Sequence, residues 1–377
     1  MKKRVMYAAA AALMFTAGSA FAQSTANTAT TSQSGITNIA TIDQVGGLSN
    51  SASVSQVDLS NTATIQQDNG VGNSATVAQV GVENNAFVWQ DGGISNEANV
   101  SQTGYQNDTY VDQWGGEDND TEVSQAGDQN YAEVLQYDGE NNDADVVQEG
   151  NLNTALIHQS GGESNDADIT QEDGDLNVGH IDQVDGENND ADIEQDGNLN
   201  NAYILQFGGE NNDSDIDQDG DLNFAAVLQS GGESNDGDVY QDGALNSALI
   251  EQVDGYRNDA EIRQNGLANG AAIYQFGGDY NTAAVAQDGI GNGAVVVQEL
   301  ASQNDASVTQ SGWYNGASVY QTGLLNTASV SQAGILNGAT VEQAGDTNTA
   351  TISQMGWGNA ASAVQSGSGN VSTITQH

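Results

Sequence analysis

Asn142-Asp143-Ala144-Asp145-Val146-Val147-Gln148 is one copy of a seven-residue unit, N-x-A-x-[IV]-x-Q, and the chain is built by repeating it. Thirty-one units follow one another from Asn27–Gln33 to Asn370–Gln376. All 31 keep the Asn and the Gln, 25 keep Ala at the third position, and 29 have Val or Ile at the fifth, which makes the repeat the first fact to explain. Positions one, three, five and seven are fixed while two, four and six vary. Period two is the mark of a strand with one face inward and one outward; a helix would show spacings of three and four.

Four or five residues separate each Gln from the next Asn, and Gly stands in nearly every one of these arcs (Gly35, Gly46, Gly81, Gly150 and Gly197 are examples), where a tight turn can use positive φ. The arcs after Gln56 and Gln298 lack it. Asn-to-Asn spacings of 11 and 12 alternate, giving a true period of about 23 residues with two strands. The expected fold is therefore all-β, a parallel β-solenoid with two strands per coil and about 15.5 coils. At a strand spacing of about 4.8 Å it would be roughly 70–75 Å long. The alternation breaks after Gln171, where a five-residue arc replaces one of four, and again from Asn304, after which every arc has four.

Stacked coils set like residues above one another. An amide both donates and accepts, so columns of Asn and of Gln are expected to bond along the stack, as in cross-β ladders. Asn130, Gln136, Asn142, Gln148, Asn153, Gln159, Asn165, Gln171, Asn189 and Gln195 represent this core. No terminal cap is expected at either end of the repeats. Asn27, Ala29 and Gln33 would form one open strand edge, and Asn370, Ile374 and Gln376 the other. Matching open edges form a head-to-tail contact, which generates filaments.

Composition narrows the function classes. The 377 residues contain no Pro and no Cys, with 52 Asp and Glu against five Lys and Arg. Residues 1–22 read as a secretory signal peptide: Lys2-Lys3-Arg4, an apolar run from Val5 to Phe15, and the cleavage motif Ala20-Phe21-Ala22. Gln23–Ala26 would be a short lead and 27–377 the repeat solenoid. Without the leader only Arg257 and Arg263 oppose the acids, a formal charge of −50. Such a surface repels nucleic acid and anionic membrane. No stretch is long and apolar enough for membrane insertion.

The outward positions separate the two sides of a coil. On odd-numbered units, counted from Asn27, Asp143, Asp166, Asp190 and Asp213 fall in one column and Asp145, Asp168, Asp192 and Asp215 in a second. Even-numbered units carry aromatic and aliphatic residues there, such as Phe87, Trp89, Tyr131, Tyr203 and Phe224. The acidic columns suit calcium, because carboxylates stacked about 5 Å apart repel by roughly 0.8 kcal/mol per pair in water. They serve equally as a solvated surface that keeps the chain soluble. No metal ligand set is assigned, since no calcium loop with its distal Glu is present. Catalysis is not expected: the acidic pairs recur coil after coil, whereas an active site would depart from the repeat. His158, His180 and His377 share no metal spacing. Outward Ser and Thr near the ends are similar to ice-binding faces but are confined to short stretches.

The run Gln148-Glu149-Gly150-Asn151-Leu152-Asn153-Thr154-Ala155-Leu156-Ile157-His158-Gln159, Q-x-G-x-x-N-x-A-x-x-x-Q, resembles the curlin repeat of bacterial curli subunits, and the resemblance covers residues 27–376. It implies a functional amyloid, secreted by a Gram-negative bacterium as an extracellular, cell-surface fibre of the biofilm matrix. The implied partners are further copies of the chain, a nucleator subunit, an outer-membrane secretion pore and a periplasmic chaperone, with no cofactor. The chain departs from the family pattern in its larger number of repeats. Asn opens both half-repeats where Ser is usual in the first, and Gln23–Ala26 stands in place of a Gly-rich secretion segment. The alternative is a monomeric secreted solenoid acting as an adhesin or a cation-binding stalk.

Overall fold

A computed structural model describes residues 26–377 and the backbone of residues 19–22. The described residues form 32 strands in two parallel sheets of 16 strands each. Consecutive strands alternate between sheets, so each pairs with the strand two places on. Odd-numbered units build one sheet, from Thr28–Ile36 to Val371–Gln376, and even-numbered units the other, from Ile39–Val45 to Ala360–Ser368. The chain is a parallel β-solenoid with no helix among the described residues.

Burial follows the unit. In Thr154–Ser160 the pattern alternates half-buried and buried along all seven residues, and the other inner strands behave alike. Ala and Val or Ile form one continuous core along the solenoid, with Ile157, Ile169, Ile193 and Ile204 at most 1% exposed. Asn and Gln lie on the same inner side. Register is strict: Ala144 pairs with Ala167, Val146 with Ile169, and Gln148 with Gln171.

Two features of the pairing go beyond the repeat pattern. The arcs turn at positive φ as expected, at Gly35, Gly46, Gly81, Gly150 and Gly197, and they also continue the ladders. The odd-unit strands run nine or ten residues through most of the chain, past the arc Gly, and the five-residue arcs pair through bridges from Leu48↔Val71 to Tyr256↔Asp279. Stacked coils leave one arc's N–H and C=O groups facing the next arc, and pairing is the way to satisfy them. The second feature is the strand Ser19–Ala22, at the end of the expected leader. It pairs in parallel with Ile39–Val45, Ala22 standing opposite Gln44. An unpaired strand edge accepts any extended backbone. The rest of the expected leader, residues 1–18, lies outside the described residues.

Both breaks in arc length appear as local irregularities. The extra residue after Gln171 is absorbed as a bulge, because pairing shifts between Gln148↔Gln171 and Gly150↔Gly174. A second shift between Gln298↔Gln321 and Ala301↔Gly323 ends the five-residue arcs. Beyond it like residues stack 22 positions apart, as Gln310 on Gln332.

Candidate functional site

The Gln columns form side-chain ladders. Nε2 of each Gln donates to Oε1 of the Gln one coil on, at 2.9 Å for Gln136→Gln159, Gln148→Gln171, Gln159→Gln183 and Gln195→Gln218, and 2.7 Å for Gln171→Gln195. The same Nε2 reaches across to the opposite sheet, from Gln148 to Tyr131 O (3.1 Å) and from Gln136 to Asp120 O (2.8 Å). Each Gln therefore ties coil to coil and sheet to sheet. Three departures from Ala use this geometry. Thr109, Thr121 and Ser214 are buried, and their hydroxyls donate to Oε1 of Gln125, Gln136 and Gln229 in the facing sheet, each at 2.8 Å.

The Asn columns differ from expectation. Through most of the solenoid Oδ1 accepts the backbone N–H of the next Asn, as in Asn153→Asn130, Asn165→Asn142 and Asn189→Asn165. Nδ2 donates to arc carbonyls instead, for example Asn153 to Glu149 O (2.7 Å) and Gly174 O (3.0 Å). Amide-to-amide bonding between Asn side chains begins only at Asn269 and recurs, with Asn304 and Asn326 excepted, to Asn370, which donates to Asn348 at 2.9 Å. The short Asn side chain sits beside the arc, where carbonyls compete for its N–H groups. The reason is visible in the backbone: the residue before each Asn takes a left-handed conformation, as at Leu152 (φ 60°), Leu176 (63°) and Arg257 (54°). Its identity varies freely, so the sequence carries no sign of it.

At the outer strands, Asn27 donates to Gly46 O and Gln33 to Gln56, while Ala29 and Ile374 pack half-buried on the core. Gln376 accepts from Gln354 and donates to Ala360 O. The Gln ladders have a direction. Donors point toward the C-terminal coil throughout, so the N-terminal coil presents acceptors. Gln44 Oε1 is buried there with no hydrogen-bond partner among the described residues.

The acidic columns stack as spaced in the sequence. Asp143, Asp166, Asp190, Asp213, Asp236 and Asp259 are register partners in turn, as are Asp145, Asp168, Asp192, Asp215, Asp238 and Glu261. Partial burial, then neighbouring carboxylates, pushes Asp145, Asp168 and Asp238 up to about 7, and Asp192 and Asp213 to about 6. Among the described residues no group of three or more His, Cys, Asp or Glu is arranged to hold a metal ion. Arg263 pairs with Glu261 and lies over the Tyr240 ring, 4.4 Å from its centroid.

The opposite face is apolar and aromatic. Phe87 stacks on Tyr110 with centroids 5.3 Å apart, and Tyr203 lies 5.9 Å from His180 and 6.0 Å from Phe224. His158 Nδ1 is 3.0 Å from Asp182 Oδ1 on this face, and His158 and His180 belong to the aromatic column, while His377 is the exposed last residue of the sequence.

A search of curated proteins gives no match. The sequence model of the Curlin associated repeat matches 13 segments, the first spanning residues 25–57 and the last 345–377, with continuous cover from 70 to 312. Repeat and fold alike are those of a structural protein, and the chain belongs to the curlin repeat family.

Proposed function

We propose that the chain is the subunit of an extracellular, curli-like amyloid fibre, growing end to end by templated strand addition. The observation that carries this reading is the direction of the Gln ladders. Every coil offers acceptors toward one end and donors toward the other, so the interface between two subunits can repeat the interface between two coils. The orphaned Gln44 Oε1 marks where a preceding subunit's Gln amide would donate. Ala22 occupies that register position here and has no amide to give. Secretion through an outer-membrane pore, nucleation by a minor subunit and a role in biofilm matrix and adhesion come to this chain from the family. Calcium on the acidic columns is a further proposal, checked by the rate of assembly with calcium or EDTA added.

The test is incubation of residues 23–377 without denaturant, followed by thioflavin fluorescence and electron microscopy. Unbranched fibres that grow faster when preformed seeds are added support the reading. A folded monomer that persists for days under seeding overturns it and leaves the adhesin or stalk.

A further inference from the structure

The two faces of the solenoid carry very different charge, and end-to-end growth makes no use of the difference. In the eight odd-numbered units from Asn96 to Gln264, seventeen of the twenty-four outward positions are Asp or Glu. In the eight even-numbered units from Asn107 to Gln275 the figure is five of twenty-four. Four of those five carboxylates are already engaged on their own face. Asp108 accepts from Asn85, Asp112 from Tyr137, and Glu133 from Tyr131, while Asp182 lies beside His158. The even face thus carries less than a third of the odd face's carboxylates, most of them held by neighbours on the same face, on a molecule of formal charge −47.

A second anomaly borders this face. In five successive coils the residue that leads into the even strand is Leu: Leu152, Leu176, Leu199, Leu222 and Leu245. Each is in the left-handed conformation, φ between 58° and 63°, and each is 45–53% exposed. A branched apolar side chain is poorly suited to that backbone. The equivalent residues nearer the N-terminus are Thr37, Ser60, Glu83, Gln106 and Gln129, so the fold does not require Leu. Burial within the subunit does not account for the leucines either.

We propose that the even-numbered face and its leucine rim dock against the same face of a second copy, pairing two solenoids back to back with both acidic faces outward. Self-pairing is the arrangement charge favours. An odd-to-odd contact brings carboxylate columns together and an odd-to-even contact buries one set of columns against an apolar face, whereas back-to-back pairing leaves both sets in water and about 30 Å apart, several times the Debye length of about 8 Å in physiological salt. Eight strands cover roughly 38 Å by 20 Å, about 800 Å² per copy, which is the size of a standard stable interface. Aromatic residues such as Tyr203 and Phe224 supply anchors of the kind that dominate such interfaces. The contact is isologous and closes on itself, so the expected assembly is a ribbon two solenoids wide.

The decisive variant replaces all five rim leucines with Asn, which tolerates the left-handed conformation better than Leu. Residues 23–377 are studied as soluble chain by sedimentation and as fibres by electron microscopy. The expected result is a melting temperature equal to or above that of the parent, with pairing weakened about tenfold or more and fibres of single width. Leu205→Lys, in the middle of the face, should abolish pairing by burying a charge, while Asp190→Asn on the far side leaves it intact. Pairing unchanged in the Asn and Lys variants, or a parent that is single by both measurements, overturns the proposal. Paired soluble chains that never elongate would leave this inference standing and remove the fibre reading instead.

Discussion

At the scale of single residues, the inner Gln has the largest predicted effect. Gln148→Leu fills the same space but breaks the bonds from Gln125 (2.8 Å) and to Gln171 and Tyr131 O. Gln171 Oε1 then stays buried without its donor, at a cost of about 1–3 kcal/mol, with a smaller loss at Gln125, which keeps Asp108 O. Chemical denaturation should show a lower midpoint at unchanged slope. Glycine gives a pair of opposite sign. A Cβ on Gly104 (φ 124°) would meet Gly127 O at 1.9 Å, so Gly104→Ala must displace the arc and destabilise the fold. On the even face a Cβ on Gly293 meets nothing within 4 Å, and its φ is outside the left-handed region. Gly293→Ala should stabilise by about 0.4–1 kcal/mol through the unfolded chain. Thermal melts of the two variants should move in opposite directions.

At the scale of the element, the strand tolerates less than the arc. Asp173 is the extra residue of the bulge after Gln171 and sits at φ 48°. Deleting it restores a four-residue arc like its neighbours, so the melting temperature should hold or rise. Deleting Val146 instead turns Gln148 outward and brings Glu149 into the inner Gln column, since strand periodicity is two, and should split the solenoid at that coil. Limited proteolysis reads the difference: new cleavage near residue 146 in one variant and none near 173 in the other. This contrast also explains what was legible in the sequence. The strands, their register and the acidic columns could be read because the inner residues repeat strictly. The left-handed residue before each Asn, the pairing of the arcs and the backbone role of Asn could not. They are backbone properties shared by Leu152, Ser164 and Arg257, which have no side-chain chemistry in common. The cross-sheet reach of Gln also lay hidden, although Thr109, Thr121 and Ser214, the hydroxyls at an Ala position, were its trace.

At the scale of the whole molecule, the acidic face sets a dependence on pH opposite to ordinary acid denaturation. The four-residue arcs show that the chain can avoid adjacent carboxylates, although the five-residue arcs stack Glu on Glu from Glu117 to Glu233. Along one arc column Asp128, Asn151, Asp175, Asn198 and Asp221 alternate, with each amide bonded to a carboxylate or its backbone N–H, as Asn151 to Asp175 (2.9 Å) and Asn198 to Asp221 (2.9 Å). On the odd strands no such alternation occurs, and Asp145 faces Asp143, Asp168, Glu122 and Asp120. Asp168 faces Asp166, Asp192, Asp143 and Asp190, and Asp238 faces Asp236 and Glu261 beside Tyr240. Burial and this repulsion raise the three carboxyls from 3.8 to about 7. A carboxyl with a higher pKa in the fold than in the unfolded chain takes up protons more readily when folded. Its contribution to stability is full below the unfolded value of 3.8 and is lost as pH rises through about 7. The melting temperature should therefore fall between pH 4 and pH 8. Replacing Asp145, Asp168 and Asp238 together by Asn should flatten that slope and raise the melting temperature at pH 8. A parent whose melting temperature climbs with pH across this window would show that the columns carry no net repulsion, and the charge argument for back-to-back pairing would lose its basis with them.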